Sequence, residues 1–215
     1  MSTTTTTFTV AASADDGYVY KATSSASTPT SGWGTPSNSG SSLIAGVQED
    51  WDNWPNYVDH FLGYFRFQNV TIAQGATISS AYLKPYQSSY TGRTLSVKGF
   101  DKDNVSAPTA GSDLAASNFT PAGITNFATS TGSGQKTSPD IKTIIQEIVN
   151  RSGWSSGNAM MLAVYTTSFS GIWNPRPYDY SSASEAAQLV IEYESGGSST
   201  PIAAISMNTY RQMRN

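Results

Sequence analysis

Residues 137–165 read TSPDIKTIIQEIVNRSGWSSGNAMMLAVY, and they predict one amphipathic helix followed by a buried strand. Ser138 is placed to cap the helix, Pro139 suits its first position, and Asp140 meets the positive end of the helix dipole. Five apolar residues recur at intervals of three and four and form one stripe: Ile141, Ile144, Ile145, Ile148 and Val149. We therefore expect a helix of about three turns that lies on a sheet.

The segment after the helix predicts a turn and then a strand. Gly153 suits a left-handed helix end, and residues 159–166 are a continuous apolar run of strand length. Residues 153–157, GWSSG, also match the G-x-S-x-G motif of serine hydrolases, but that motif needs a strand before it and a helix and a histidine after it. The order is reversed here, and the only histidine, His60, lies upstream. We expect a helix-to-strand turn with Trp154 packed beneath it.

Eight short segments bounded by Gly, Pro, Asn or Ser clusters predict strands: 8–12, 17–22, 42–47, 61–68, 78–86, 94–100, 159–166 and 187–193. Phe61, Phe65 and Phe67 alternate with Leu62 and Tyr64, which is typical of antiparallel sheets. Connections of very unequal length favour a jelly-roll over a simple barrel. The predicted fold is an all-β, antiparallel, two-sheet jelly-roll-like sandwich with one amphipathic helix (about 138–151) packed on it.

The chain divides into one predicted domain and terminal segments. Residues 1–7 are a polar threonine tract that we expect to be a disordered arm or to lie along a neighbour, and residues 8–194 form the sandwich. Residues 195–201 are a Gly/Ser linker, and residues 202–215 are too apolar for a linker alone. Candidate partner-docking residues in this tail are Ile202, Ile205, Met207 and Tyr210; the alternative is a frayed end.

Composition excludes several classes of partner. Only 13% of the 215 residues are charged, about half the usual share, and the net charge is −3 with 12 Lys and Arg. No basic stripe is available for phosphates, so we expect neither nucleic acid nor a membrane as a partner. The chain has no cysteine, which excludes disulfides and thiolate metal sites. It shows no secretory signal pattern and no apolar stretch of membrane-spanning length.

The loop EDWDNWPNY, residues 49–57, is the best candidate for a small-ligand site. Aromatic rings contact the C–H faces of sugars, and carboxylates and amides bind sugar hydroxyls. Candidate carbohydrate-binding residues are Trp33, Trp51, Asp52, Trp54, Tyr57 and Trp173. The alternative, which stays open from the sequence, is that these aromatics anchor loops or fill a subunit interface.

Candidates for metal binding and catalysis are few. Asp15 and Asp16 precede a predicted strand and could bind calcium, although an Asx-type turn is the alternative. Residues 101–104, DKDN, begin like an EF-hand loop, but Val105 follows and no glycine comes next, so we expect a turn with solvated carboxylates. No spacing singles out a carboxylate pair for glycoside hydrolysis. We expect no catalytic residues and no cofactor other than calcium.

Five blocks of the sequence together resemble one family. They are ASADDGYVY (12–20), YFRFQNVTIAQGATISSAYLKPY (64–86), FDKDN (100–104), the helix–turn–strand block 137–165, and YDYSSASEAAQLVIEY (178–193). This pattern resembles the DNRLRE-type domains, β-sandwich modules of bacterial surface proteins and phage structural proteins. The resemblance implies a sandwich fold and a role in carbohydrate attachment or surface display, and it supplies no catalytic motif.

The combined features predict a non-enzymatic structural virion protein of a tailed bacteriophage. A capsid decoration or cement protein is the first expectation, with a tail or fibre component as its variant and glycan adhesion as an added property. Such a protein would assemble in the host cytoplasm and would contact other virion proteins and itself, for example as a trimer. The alternative is a carbohydrate-binding module of a bacterial surface or secreted protein, which would contact cell-surface glycans.

Overall fold

The computed structural model describes residues 3–24, 27–38, 42–49, 57–88, 92–166, 171–181 and 184–194. Its strands are β1 (Thr3–Thr9), β2 (Asp16–Thr23), β3 (Ala45–Glu49), β4 (Val58–Phe67), β5 (Thr77–Lys84), β6 (Tyr86–Gln87), β7 (Thr94–Phe100), β8 (Phe119–Ala128), β9 (Gly134–Gln135), β10 (Met160–Tyr165), β11 (Gly171–Trp173) and β12 (Gln188–Glu194). The helices are α1 (Lys142–Val149) and α2 (Tyr178–Ser181), and single 3₁₀ turns span Ser13–Asp15, Gly111–Leu114 and Ala116–Asn118. None of the helices in these ranges is long and apolar enough to cross a membrane.

The strands form two main antiparallel sheets, which confirms the predicted all-β sandwich. The smaller sheet has the order β1-β12-β5. The larger sheet has the order β11-β3-β4-β10-β7-β8, and β2 also pairs with β4. The short strands β6 and β9 pair with each other. The long strand β4 is therefore central, because it contacts β2 on one side and both β3 and β10 on the other.

Most of β4 is buried on both faces, so its alternating side chains point into two different apolar clusters rather than into a core and into solvent. Phe65 and Phe67 lie in the main core between the sheets, together with the apolar stripe of α1. Leu62 and Tyr64 lie in a second cluster on the other face. Residues 101–118 supply part of the cover of that second face through Val105 and Leu114. A strand buried on both sides loses the polar alternation that normally identifies its outward face.

Seven of the eight predicted strands correspond to β2–β5, β7, β10 and β12 with shifted ends, whereas the predicted strand 8–12 shares only residues 8 and 9 with β1. Two expectations were wrong. The threonine tract is no disordered arm, since Thr3–Thr9 pair with β12 in unbroken register. The segment between the predicted strand 94–100 and the predicted helix contains β8, which was missed because its sequence, FTPAGITNFA, includes proline and glycine, residues that usually mark turns.

The helix stripe was predicted correctly, but the helix start was placed too early. Residues 138–141 run along the outer edge of β5 before α1 begins at Lys142. The Leu83 backbone N–H donates to Ser138 Oγ at 3.0 Å, and the Ala81 N–H donates to Asp140 Oδ1 at 3.0 Å. An exposed strand edge leaves backbone N–H groups without hydrogen-bond acceptors. The Ser138 and Asp140 side chains provide acceptors for two of them.

The turn after α1 also differs in mechanism from the prediction. Gly153 does not have a positive φ. Its lack of a side chain matters because the Asp103 carboxylate lies where a Cβ would stand. Trp154 does pack beneath the turn, being 2% exposed, and its indole N–H donates to the Ile72 carbonyl at 2.9 Å.

Candidate ligand-binding surface

Strands β3 and β4 form a hairpin whose connecting loop carries the aromatic candidates. Gln48 pairs with Asp59, and Glu49 pairs with Val58, so the base of the loop is well defined. Trp51, Asp52 and Trp54 belong to residues 50–56 and lie outside the described residues.

Two aromatic residues that the sequence reasoning missed lie at the hairpin base. The ring centroids of Tyr18 and Tyr20 lie 5.8 and 5.4 Å from that of Phe61. The Tyr20 hydroxyl donates to Asp59 Oδ1 at 2.9 Å. Tyr20 is 41% exposed and Tyr57 is 44% exposed, among the most exposed large apolar residues described. We name Tyr20, Gln48, Tyr57 and Asp59 the hairpin-base surface; the Phe61 ring, which Tyr20 contacts, is buried at 8% exposure.

The hairpin-base surface combines the groups that sugar recognition requires. Asp59 and Phe61 alternate along β4, Tyr57 directly precedes that strand, and Tyr20 and Gln48 pair with Phe61 and Asp59 from the flanking strands. Residues two apart on a strand point to the same face, and directly paired residues share that face. Exposed phenol rings therefore lie beside a carboxylate and an amide. Sequence alternation alone could have grouped Tyr18 with Tyr20, but it could not bring their rings into contact with Phe61.

Two other sugar-binding candidates are buried and do not join this surface. Trp33 is 7% exposed and packs in the second core cluster. Trp173 is fully buried, its indole N–H donates to Gln87 Oε1 at 2.8 Å, and its ring meets the Phe127 ring edge-on. Neither indole offers a face to a sugar in this structure, so for these two residues the packing alternative applies.

Asp15, one of the two calcium candidates, is part of a buried ion pair. It is 1% exposed, accepts from Arg66 Nη1 at 2.5 Å, and accepts from Gln68 Nε2 at 2.6 Å. Both carboxylate oxygens are thus in use. Among the described ranges, no cluster of three His, Cys, Asp or Glu side chains is arranged to hold a metal ion.

Asp16, the other candidate, anchors α2. It is also 1% exposed, and its Oδ2 accepts from the Tyr178 backbone N–H at 2.8 Å. Burial raises the pKa of Asp16 to about 7; the Tyr178 N–H lowers it, and the nearby Asp179 and Asp15 carboxylates raise it. Burial and the Asp16 charge also raise the pKa of Tyr64 above its usual range. These acids occupy a 3₁₀ turn and a strand start rather than a solvated Asx turn.

The second acidic segment, Asp101 and Asp103, is also paired with an arginine. Arg151 Nη1 donates to Asp101, and Arg151 Nε donates to Asp103 Oδ1 at 2.6 Å. The two carboxylates remain 48% and 43% exposed. The prediction of a turn with solvated carboxylates is therefore incomplete, because the turn after α1 brings an arginine to these half-exposed groups.

A cleft of about 360 Å³ lies beside this second acidic segment, with Phe100 and Met161 at its apolar floor. Several of its polar side chains, including those of Asn104, Asp113 and Asn118, already bond to the surrounding backbone. The Asp113 carboxylate accepts from the backbone N–H groups of Thr109 and Ala110, which lower its pKa. Groups bound in this way are poor ligands for anything else, so the hairpin-base surface is the stronger candidate.

The candidate docking residues of the tail, Ile202, Ile205, Met207 and Tyr210, lie outside the described residues. The last described residue before this tail is Glu194. Glu194 ends β12 and pairs with Thr3 at the start of β1. Both ends of the described chain therefore meet at one corner of the smaller sheet.

Comparisons with known proteins gave no assignment: no family model matches the chain, and no curated protein is significantly similar to it.

Proposed function

We propose that the protein is a non-enzymatic structural component of a tailed-phage virion, as a capsid decoration or cement protein or as a tail or fibre component. The observation that carries the proposal is the pairing of Glu194 with Thr3, from which residues 195–215 depart. A segment that leaves a rigid sandwich at one corner of a sheet suits attachment to a particle surface, with the sandwich facing outward. The predicted partners are other virion proteins and further copies of this chain.

The rigidity of the sandwich supports this role. Strand β4 is buried on both faces, and α1 lies on the main core with Ile144, Ile145 and Ile148 fully buried. Side chains from 138–146 complete the backbone bonding of the β5 edge. Such a scaffold holds loops and termini in fixed relative positions, which is what a lattice contact requires. The resemblance to DNRLRE-type domains points the same way.

Deletion of residues 202–215 tests the proposal. We expect the truncated protein to fold, with an unchanged thermal transition, and to be lost from purified particles in an incorporation assay. A matched variant that changes only polar tail residues, Asn208→Ala with Gln212→Ala, should incorporate normally, whereas Ile202→Ser with Ile205→Ser should not. A full-length protein that binds no particle or shell at any concentration would refute the proposal.

The hairpin-base surface favours a second candidate function, glycan binding, either on a virion or as a carbohydrate-binding module of a bacterial surface protein. Exposed tyrosine rings beside a carboxylate and an amide provide stacking and hydroxyl contacts at the same point. The loop that joins β3 to β4 adds two tryptophans in sequence, Trp51 and Trp54. The expected ligand class is neutral or weakly charged oligosaccharide.

A glycan array with tyrosine variants tests this second function. Tyr57→Ala and Tyr20→Ala should each lower binding at least tenfold, as should Trp54→Ala. Tyr20→Phe keeps the ring but removes the bond to Asp59 and should lower binding less. Tyr180→Ala is the control, because Tyr180 is 48% exposed on α2, whose first residue contacts the start of β2 rather than the hairpin. Equal loss in the control, or no glycan bound by the wild type, would exclude this function.

A further inference from the structure

We propose that β1 is a self-pairing edge: two copies of the chain join β1 to β1 in antiparallel fashion about a two-fold axis and form one continuous six-stranded sheet. This inference names an interaction surface and does not depend on the proposed virion role.

The other sheet edges in the described part of the chain are protected against such pairing. The outer edge of β5 is covered by residues 138–146. The outer edge of β2 bonds to residues 34–37, since the Gly34 N–H donates to the Tyr20 carbonyl and Tyr18 exchanges two bonds with Ser37. Strand β8 contains Pro121 and two register shifts, and β11 is three residues long. Proline, irregular register, cover and short length are the usual devices that prevent edge pairing.

Strand β1 shows none of these devices among the described residues. It is seven residues long, TTTTTFT, without charge, proline or glycine, and its register with β12 is unbroken. The Val10 N–H donates to the Ala187 carbonyl at 3.0 Å, so the even-numbered residues turn their backbone groups toward β12. The odd-numbered residues Thr3, Thr5, Thr7 and Thr9 therefore turn theirs outward, where no described residue bonds to them.

The chemistry of the edge favours a second copy over a charged partner. Two identical strands meeting about a two-fold axis place like residues near each other, which penalises any charged edge. Threonine faces threonine without penalty, and cross-strand Thr–Thr pairs are favourable. The nearest acids, Glu192 and Glu194, lie on β12. They would be separated from their symmetry mates by about three strand spacings, roughly 14 Å, which exceeds the screening length at physiological salt.

One register pairs all seven residues of both strands. It places Thr5 opposite Thr7 of the second copy and Thr3 opposite Thr9 of the second copy. Thr6 then lies opposite Thr6 of the second copy, at a non-hydrogen-bonded position. Cα atoms at such a position lie about 4.5 Å apart. That distance is within the range that a disulfide spans.

Sedimentation of the full chain over a range of concentrations tests the pairing. We expect a concentration-dependent dimer in the wild type and in Thr5→Val, and a monomer in Thr5→Pro, which removes an outward N–H but no bond to β12. A thermal melt of each variant confirms that it is folded. A wild type that stays monomeric up to millimolar concentration, or a dimer that Thr5→Pro leaves intact, would overturn the proposal.

Cysteine cross-linking tests the same pairing in a second way, because the chain contains no cysteine of its own. Thr6→Cys should form a disulfide-linked dimer under mild oxidation, and the link should be absent when Thr5→Pro is added. Thr77→Cys, exposed at the start of β5, is the control and should stay monomeric. Equal cross-linking of Thr6→Cys and Thr77→Cys would count against the two-fold register and the proposal.

Discussion

Two acidic turns in this protein have similar sequences and different surroundings. Asp15 with Asp16 and Asp101 with Asp103 are each held in part by one arginine, Arg66 in the first turn and Arg151 in the second. Asp15 is 1% exposed, whereas Asp101 and Asp103 are nearly half exposed. Removing one partner of a buried pair leaves an uncompensated charge, but an exposed pair exchanges its partner for water. The two turns therefore contain the same kind of ion pair. Breaking the buried pair should lower the free energy of unfolding several-fold more than breaking the exposed pair.

The largest expected effect is that of Arg66→Met. It leaves the Asp15 carboxylate buried beside an apolar side chain, and we expect the free energy of unfolding to fall by about 4 kcal/mol. Urea denaturation followed by tryptophan fluorescence measures the change. Asp15→Asn combined with Arg66→Met should recover part of the loss, because no charge then remains buried. A loss below about 1 kcal/mol would mean that Asp15 is effectively solvated.

The next effect is a pH dependence that comes from Asp16. Its pKa rises from 3.8 to about 7 on folding, so the folded state binds a proton that the unfolded state has released. Stability is then greatest below about pH 4 for this group, and it is lost as the pH rises toward 7. Asp16→Asn should match the wild type near pH 4 and exceed it at pH 8 by roughly 4 kcal/mol. Parallel curves for the two proteins between pH 4 and 8 would contradict the assignment.

A smaller effect is expected for Arg151→Met in the exposed turn. The arginine side chain is 28% exposed, so loss of its two ion pairs should cost about 1 kcal/mol at low salt. Salt screens exposed pairs, so the difference from wild type should shrink in high salt. The cost of Arg66→Met should change little under the same conditions. Equal salt dependence of the two variants would remove the contrast between the turns.

The smallest effect is expected for Gly153→Ala. The added Cβ would meet the Asp103 carboxylate and displace it from Arg151. Since φ is not positive at this position and the carboxylate can turn toward water, we expect a cost below about 1 kcal/mol. In a double-mutant cycle, Gly153→Ala should cost less when Arg151 is already methionine. If the effects of the two substitutions were fully additive, Gly153 would not act through the contact between Asp103 and Arg151.

Local patterns in the sequence predicted most of the fold. The stripe from Ile141 to Val149 and the apolar run after Gly157 identified α1 and β10, because burial of one helix face or of a whole strand leaves a periodic signal. The pattern failed where a local signal was ambiguous. Thr3–Thr9 lacks apolar alternation and still pairs with β12, and β8 contains a proline. In both segments, pairing with another strand determines the strand conformation.

The candidate site was predicted less completely. The hairpin loop was identified as a candidate from its aromatic and acidic residues, and of these Tyr57 is described and exposed. Tyr20 was missed because it reaches Asp59 only through the pairing of β2 with β4. Trp33 and Trp173 were included on residue type alone, and burial removed them. Residue type indicates what a side chain can bind, but not whether it is accessible.

The amino-acid sequence alone was sufficient for the fold class, the helix and the main strands, because each leaves a periodic apolar pattern within about ten residues. Only the tertiary structure decided the partner of each charged or polar side chain, since those partners are distant in the chain: Asp15 meets Arg66, 51 positions away, and Asp103 meets Arg151, 48 positions away. The burial of these side chains depends on the same long-range contacts. Whether an acid titrates near neutrality, or an aromatic ring can meet a ligand, is a property of packing that no local pattern encodes.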